Sequence, residues 1–196
     1  MTKKIIIFTQ NTMASIVATR EIIIKNHDKI SIIVLADQIK GGSLKKQFKI
    51  IKKLIKKSSF SFFYYKIIES KLYNLLLTFH KLIKSKKYLS SQAKTITGLA
   101  KQYNIPIIKT DNLSDEEFLN TIKEFNPNYI ICLVAQILRK TVFEVLGDKI
   151  INAHGSYLPK YRGAAQYFWY LFNDDEKFGV TVHFMVVILK LSQMII

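Results

Sequence analysis

The chain has 196 residues, of which 49% are hydrophobic and 22% charged, and its net charge at pH 7 is +16. This composition excludes a disordered chain, and the length suits one globular domain with a sizeable core. Cys132 is the single cysteine of the sequence, which excludes a disulfide framework and a cysteine-based zinc site. It lies in an apolar run. We expect it to be a core residue in a reducing compartment, so the predicted location is cytoplasmic.

Short apolar runs alternate with a helical pattern in the first part of the chain, as in parallel α/β proteins. The predicted elements are a central strand at residues 5–8, a helix from Asn11 or Thr12 to about residue 26, and a strand at residues 30–35. The first apolar run ends at Thr9, too early for the hydrophobic region of a signal peptide. No G-x-G-x-x-G or G-K-[ST] motif follows that strand, which disfavours a nicotinamide-dependent or nucleotide-hydrolysing enzyme. The residues expected on the buried side of the helix are Ile16, Ala18, Ile22 and Ile23.

A strongly basic segment follows a turn at residues 41–43. Residues 40–87 contain fourteen lysines against one acidic residue, Glu69, and so carry +13 of the net charge. Apolar residues recur there at helical spacing with lysines between them, which predicts a Lys-rich helical insert at about residues 41–90 with its lysines in water. The alternative is that these lysines bind the phosphates of RNA or of a nucleotide, with the aromatic run at residues 60–65 as a base-stacking surface. No uncharged run reaches the ~20 residues that a membrane-spanning helix needs, so no span is expected.

The second half continues the alternation. The predicted helices lie at about residues 91–103, 114–125, 141–146 and 164–172, and the predicted strands at 107–108, 129–134, 150–154 and 178–185. Together these elements predict an α/β fold with a mostly parallel, Rossmann-like sheet, helices on both faces and the Lys-rich helical insert. The first loop residues after the strand at 129–134 lie at its carboxyl end, where open α/β sheets place ligands.

Two polar side chains occupy the end of the strand that begins at Ile150. Asn152 and His154 are two residues apart, so both point to the same face of the strand. An amide beside an imidazole suits acyl transfer, because the amide can stabilise an oxyanion and the imidazole can move a proton. The alternative is a capped strand end with a hydrogen-bonded histidine.

A long ordered motif continues from this strand end. It reads Asn152-Ala153-His154, then Ser156-Tyr157-Leu158-Pro159-Lys160-Tyr161-Arg162-Gly163, then Trp169, and then Gly179-Val180-Thr181-Val182-His183. The motif resembles that of the formyltransferase family, N-x-H-P-S-L-L-P-x-Y/W-R-G followed by a helix and a G-V-T-x-H strand. The chain departs from it at Gly155, usually Pro, and at Tyr157, usually Leu. The resemblance is best over residues 126–185.

The resemblance implies that a formyl group passes from 10-formyltetrahydrofolate to an amine, through a tetrahedral carbon that bears an oxyanion, without a metal. It implies that Asn152 donates a hydrogen bond to the oxyanion, and that His154 donates a second one and accepts a proton from the amine. Arg162 and Gly163 contact the substrate or only shape their loop. The residues expected to bind the pterin of the folate are Gln136, Ile137 and Leu138.

The end of the chain departs from the family pattern. The third catalytic residue of the family is an Asp just past the G-V-T-x-H strand, about where this chain has Lys190, but residues 186–196 contain no carboxylate, Gly or Pro. We therefore expect a catalytic domain at residues 1–185 and an atypical tail at 186–196, which a frame change or a premature end would explain. Activity is expected to be impaired, and an inactive remnant is the alternative. The apolar tail also predicts poor solubility or a homodimer through this edge.

The acceptor amine has three candidates. Residues 8–12 do not form the G-T-P-type loop usual in methionyl-tRNA formyltransferases, and the Lys/aromatic insert looks more like relatives that formylate amino sugars. We therefore expect a small-molecule substrate, a nucleotide-linked amino sugar for bacterial surface polysaccharide such as lipopolysaccharide O-antigen. Methionyl-tRNA is the alternative and glycinamide ribonucleotide the third candidate. A basic RNA-binding protein is the alternative from a different class.

Overall fold

Six strands and five helices form the part of the chain that the structure describes. In this computed structural model, the described residues are 4–36, 95–163 and 166–186, together with four single residues, Tyr64, Ile68, Lys71 and Leu75. The strands are β1 (Ile5–Thr9), β2 (Ile30–Ala36), β3 (Ile107–Thr110), β4 (Tyr129–Cys132), β5 (Ile150–His154) and β6 (Thr181–Phe184). The helices are α1 (Met13–Asn26), α2 (Ile96–Gln102), α3 (Glu116–Glu124), α4 (Lys140–Leu146) and α5 (Gln166–Phe172). Short 3₁₀ turns at His27–Lys29 and Gly147–Lys149 lead into β2 and β5.

The strands form one sheet in the order β3-β2-β1-β4-β5-β6. Every neighbouring pair is parallel except β5 and β6, which run antiparallel. The fold is therefore an α/β fold with a mostly parallel, Rossmann-like sheet, as the sequence predicts. Because the strand order reverses between β1 and β4, the carboxyl ends of these two strands flank the crevice where such sheets bind ligands.

Each face of the sheet has its own apolar core, because side chains alternate along a strand. On one face, Phe8 packs in a cluster with residues of α3 and α4, including Leu119 and Val142. On the other face, Ile7 packs with residues of α1 and α2, including Ile23 and Leu99. The prediction of helices on both faces is thus confirmed. Cys132 is 2% exposed in the first of these clusters, so its prediction as a core residue is also confirmed.

Several predicted element ends are wrong by a few residues. The last predicted helix before β3 begins at Ile96, not at residue 91, because the Thr95 hydroxyl caps it by accepting a hydrogen bond from the backbone N–H of Gly98. Asp115, not Ser114, caps α3, because the Ser114 hydroxyl accepts a hydrogen bond from the backbone N–H of Arg139 instead. Strand β4 ends at Cys132, two residues early, and the next carbonyl accepts a hydrogen bond from the Ser15 hydroxyl. Strand β6 is also shorter than predicted.

The buried side of α1 is more polar than predicted. Ile23 is fully buried, but Ile16, Ala18 and Ile22 are only half-buried, whereas the polar side chains of Ser15 and Thr19 are buried. The Thr19 hydroxyl shares a hydrogen bond of 2.7 Å with that of Thr9. This tertiary bond satisfies two hydroxyls that would be costly to bury alone.

Apart from four single residues, the predicted helical insert at residues 41–90 lies outside the described residues, as does the tail beyond Val186. Those four residues are helical, and their side chains are exposed. Within the described part of the chain, none of the helices has the length and apolar character to span a membrane. Strand β6 is at the edge of the described sheet and presents Val182 (67% exposed) and Phe184 (55% exposed) to solvent.

Candidate active site

The strand β5 places Asn152 and His154 on one face of the sheet. Asn152 lies opposite Cys132 of β4 in the parallel ladder, so it points to the same face as the cluster under α3 and α4. His154, two residues on, points to that face at the carboxyl end of the strand, and both side chains are half-buried. The predicted juxtaposition on one strand face is present.

The amide of Asn152 is bonded to a histidine that sequence reasoning gave no role. The antiparallel register pairs Asn152 with His183 of β6, and Asn152 Nδ2 lies 3.3 Å from His183 Nε2. The other ring nitrogen, Nδ1, lies 3.0 Å from the carbonyl oxygen of Phe184 and can only donate to it. Nε2 is then the acceptor, and the Asn152 amide donates one of its two N–H groups to it. His183 therefore fixes which way the amide points.

The ring of His154 is held from both sides. Its Nε2 lies 3.1 Å from the backbone carbonyl oxygen of Tyr161, and the amide nitrogen of Gln166 lies 3.4 Å from each ring nitrogen. Since a carbonyl only accepts, Nε2 carries the proton, and Nδ1 is the acceptor for the amide of Gln166. In this arrangement Nδ1 is the ring nitrogen that can accept a proton.

The loop after β4 is joined to two neighbouring loops at the same sheet edge. The side-chain oxygen of Gln136 accepts from the backbone N–H of Leu113 at 3.4 Å, and its amide nitrogen donates to the carbonyl of Asp111 at 3.4 Å. The buried side-chain oxygen of Gln10, just after β1, accepts from the backbone N–H of Ala135 at 3.1 Å. The loop that contains the predicted folate-binding residues is therefore fixed by backbone and amide contacts.

The three predicted folate-binding residues have different environments. Gln136 is half-buried and used in the contacts between loops, whereas Leu138 is buried in the core cluster at 9% exposure. Ile137 is 81% exposed, so its apolar side chain is open to a ligand at this edge. Arg162 is exposed, and Gly163 has a φ of +94°, a left-handed value that favours glycine. For Gly163 the structure therefore supports the loop-shaping alternative.

A model of the formyl transferase family matches residues 3–190 of the chain. The chain belongs to the formyl transferase family. Among curated relatives, it is 42% identical over 91 residues to the methionyl-tRNA formyltransferase of Clostridioides difficile (strain 630), covering 46% of this chain and 29% of that protein. It is 37% identical over 91 residues to that of Thermodesulfovibrio yellowstonii, covering 46% of this chain and 30% of the relative. These matches span less than a third of the length of either relative.

Solved structures of formyl transferases and related enzymes share the fold. The phosphoribosylglycinamide formyltransferase from Bacillus halodurans superposes with a TM-score of 0.57 at 13% identity, covering 94% of this chain and 72% of that one. The formyltetrahydrofolate deformylase from Pseudomonas syringae pv. tomato gives a TM-score of 0.53 at 12% identity, covering 96% of this chain and 48% of that one. At these identities the similarity shows the fold alone.

The candidate site consists of amide, imidazole and carbonyl groups, without a metal cluster in the part of the chain described. No group of three or more His, Cys, Asp or Glu side chains is placed to bind a metal ion among residues 4–36, 95–163 and 166–186. The position where the family has its catalytic Asp, about Lys190, lies outside those residues. Within them, an ionised carboxylate, Asp175, accepts bonds from Lys160 and Tyr161 beside the loop that holds His154.

Proposed function

We propose that this chain transfers a formyl group from 10-formyltetrahydrofolate to a primary amine, with Asn152 and His154 as the catalytic residues. The observation that carries the proposal is the pair itself: two polar side chains at the carboxyl end of β5, each held in orientation by a second residue. His183 accepts from the Asn152 amide, and the Tyr161 carbonyl accepts from the His154 ring. Membership of the formyl transferase family supports the reaction class.

The folate supplies the formyl group, and the residues at this edge of the sheet fit it. The fused pterin ring is flat and partly apolar, and Ile137 offers an exposed apolar surface beside a loop whose own polar groups are already bonded to neighbouring loops. We propose that Gln136, Ile137 and Leu138 line the pterin site. Ile137→Asp should weaken folate binding without changing the fold, because its side chain makes little contact with the core.

Asn152 supplies the electrostatic part of the mechanism. Attack of the amine nitrogen on the formyl carbon moves an electron pair onto the carbonyl oxygen, and the second N–H of the Asn152 amide can donate to that oxygen. One such preorganised donor is worth about 100- to 1,000-fold in turnover. His183 keeps the amide from flipping its oxygen toward the developing negative charge.

His154 supplies the proton acceptor. Its Nδ1 is the basic nitrogen, and once displaced from Gln166 it can take the proton that the amine loses as the new C–N bond forms. The same proton is then available to the leaving nitrogen of the folate when the old C–N bond breaks. The Tyr161 carbonyl stabilises the imidazolium that exists between these two events.

The proposed acceptor is the amino group of methionyl-tRNA. The curated relatives reported above are named methionyl-tRNA formyltransferases, which favours this alternative over the amino-sugar expectation. The net charge of +16 also suits a polyanionic substrate, because lysines that neutralise phosphates release counterions. A nucleotide-linked amino sugar is the competing acceptor, and the same assay distinguishes the two.

The test measures formyl transfer from 10-formyltetrahydrofolate to methionyl-tRNA, to a nucleotide-linked amino sugar and to glycinamide ribonucleotide in parallel. Asn152→Ala should lower kcat by about 100-fold or more with folate affinity unchanged. The control is Asn26→Ala, which removes an amide that only donates to the Ile22 carbonyl at the end of α1. Equal rates for wild type and Asn152→Ala would remove Asn152 from the oxyanion role. Folate binding without transfer to any of the three amines would support an inactive remnant.

A further inference from the structure

The segment after α5 contains a carboxylate with two partners from the loop that follows β5. Asp175 Oδ1 accepts from Lys160 Nζ at 2.8 Å, and its Oδ2 accepts a hydrogen bond from the Tyr161 hydroxyl. Asn173 also donates to the Tyr161 hydroxyl, at 3.0 Å. The contacts with Lys160 and then Tyr161 hold the pKa of Asp175 below its usual range, so the carboxylate is ionised at neutral pH.

Tyr161 needs this support because its backbone is strained. Its φ is +54°, a left-handed value that is unfavourable for a residue with a bulky side chain. Its ring packs edge-on against the buried ring of Tyr170, with centroids 4.8 Å apart. The hydroxyl bonded to Asp175 and the ring packed on Tyr170 together fix the side chain, and thereby the unusual backbone conformation.

That backbone conformation points the Tyr161 carbonyl at the active site. The carbonyl oxygen lies 3.1 Å from His154 Nε2 and accepts a hydrogen bond of 3.1 Å from the hydroxyl of Ser156, which is fully buried. Any relaxation of Tyr161 to an ordinary φ would rotate this carbonyl away from the imidazole. The orientation of His154 thus depends on the side chain of Tyr161, although the group that accepts the hydrogen bond from His154 is the Tyr161 backbone carbonyl.

We propose that Asp175 is a positioning residue for His154, acting through the side chain and backbone of Tyr161. The inference rests on the proposed function, in which the proton taken up at Nδ1 requires Nε2–H to be bonded to the Tyr161 carbonyl. Lys160 is the counterion that keeps Asp175 in place. Neither residue contacts the reacting atoms.

The experiment compares Asp175→Asn, Tyr161→Phe and Asp175→Glu in the full chain. Asp175→Asn and Tyr161→Phe should each lower kcat by about tenfold while KM for the folate stays constant, because the pterin loop follows β4 and not β5. Asp175→Glu should recover part of the rate. The control is Glu144→Gln, which breaks the exposed pair between Glu144 and Lys140 (2.6 Å) on α4 and should change nothing.

A spectroscopic measurement separates positioning from simple destabilisation. With ¹⁵N-labelled histidine, the hydrogen-bonded Nε2–H of His154 should give a resolved proton signal in the wild type and in Glu144→Gln. The signal should vanish in Asp175→Asn and Tyr161→Phe, because an imidazole N–H freed to water exchanges too fast to be seen. If Asp175→Asn does not fold, Tyr161→Phe, which loses one hydroxyl, still gives the answer.

The outcomes distinguish this proposal from the proposed function. A wild-type chain that transfers no formyl group to any amine contradicts the function, whereas loss of the N–H signal in the variants still supports positioning. An unchanged signal and an unchanged rate in both Asp175→Asn and Tyr161→Phe would overturn the positioning role.

Discussion

Replacing Gly179 by alanine would place a methyl group against the ring of Tyr157. The new Cβ would lie 2.1 Å from Cζ and 2.2 Å from Cε1 of that ring. Carbon atoms in contact prefer about 3.5–4.0 Å, so the ring must retreat by roughly 1.5 Å. The backbone N–H of Tyr157 donates to the hydroxyl of buried Tyr170 at 3.0 Å, so the backbone stays in place and the ring, which is 52% exposed, must rotate into solvent. Because the ring is the free end of a side chain, we expect a cost at the lower end of the range for overpacking, about 1 kcal/mol.

The assay is thermal and urea unfolding of four variants. For a chain of this size, 1 kcal/mol is about 2–4 °C in Tm, so Gly179→Ala should lower Tm by roughly 2–4 °C. Tyr157→Ala removes the half-exposed ring, and Gly179→Ala made in that background should cost almost nothing. Gly163→Ala is the contrast: with no atom within 4 Å of its Cβ but a φ of +94°, its cost is backbone strain and should persist without the ring. If Tyr157→Ala leaves the cost of Gly179→Ala unchanged, steric contact is not its cause.

Three further predictions concern the thiol, the carboxylate and the edge strand. Burial raises the pKa of Cys132 to about 11, so roughly a thousandth of this thiol is ionised at pH 8. Cys132 should therefore react with thiol reagents slowly in the native protein and rapidly in guanidinium. Fast labelling of the native protein would contradict this prediction. Since the pKa of Asp175 is lowered by Lys160 and Tyr161, its contribution to stability is present at neutral pH and lost as pH falls below about 4. Asp175→Asn should therefore flatten the stability curve below about pH 5, and identical curves for variant and wild type would count against the carboxylate contacts. Val182→Lys on β6 should change the free energy of unfolding by less than about 0.5 kcal/mol while reducing self-association in sedimentation; unchanged association would exclude this edge as the contact.

Apolar patterning is what made the sheet predictable. Strand β2 is buried on both faces, so its sequence is an almost continuous apolar run that needs no knowledge of its neighbours. The pair at Asn152 and His154 was predictable for a similar reason, since the period of two along a strand places both on one face whatever lies beside it. Features that depend only on the local sequence could therefore be predicted.

Features that depend on a residue distant in sequence could not be predicted. Ser15 and Thr19 are polar residues on a helix, and only their bonds to the Leu133 carbonyl and to Thr9 explain why they are buried. The role of His183 depends on the register between β5 and β6, which no local pattern specifies. The link from Asp175 to His154 runs through Tyr161, whose positive φ cannot be predicted from the presence of a tyrosine in the sequence.

Strand β6 has one neighbour in the described sheet, β5, with which it pairs antiparallel. The orientation of the Asn152 amide therefore depends on an edge strand. Edge strands open locally at a lower free energy than central ones, and while β6 is detached the Asn152 amide has no His183 to orient it. Amide hydrogen exchange along residues 181–184 would then report the fraction of time the donor is misaligned. The protection of the β6 amides from exchange would thereby set an upper limit on the fraction of molecules that are competent for catalysis at any instant.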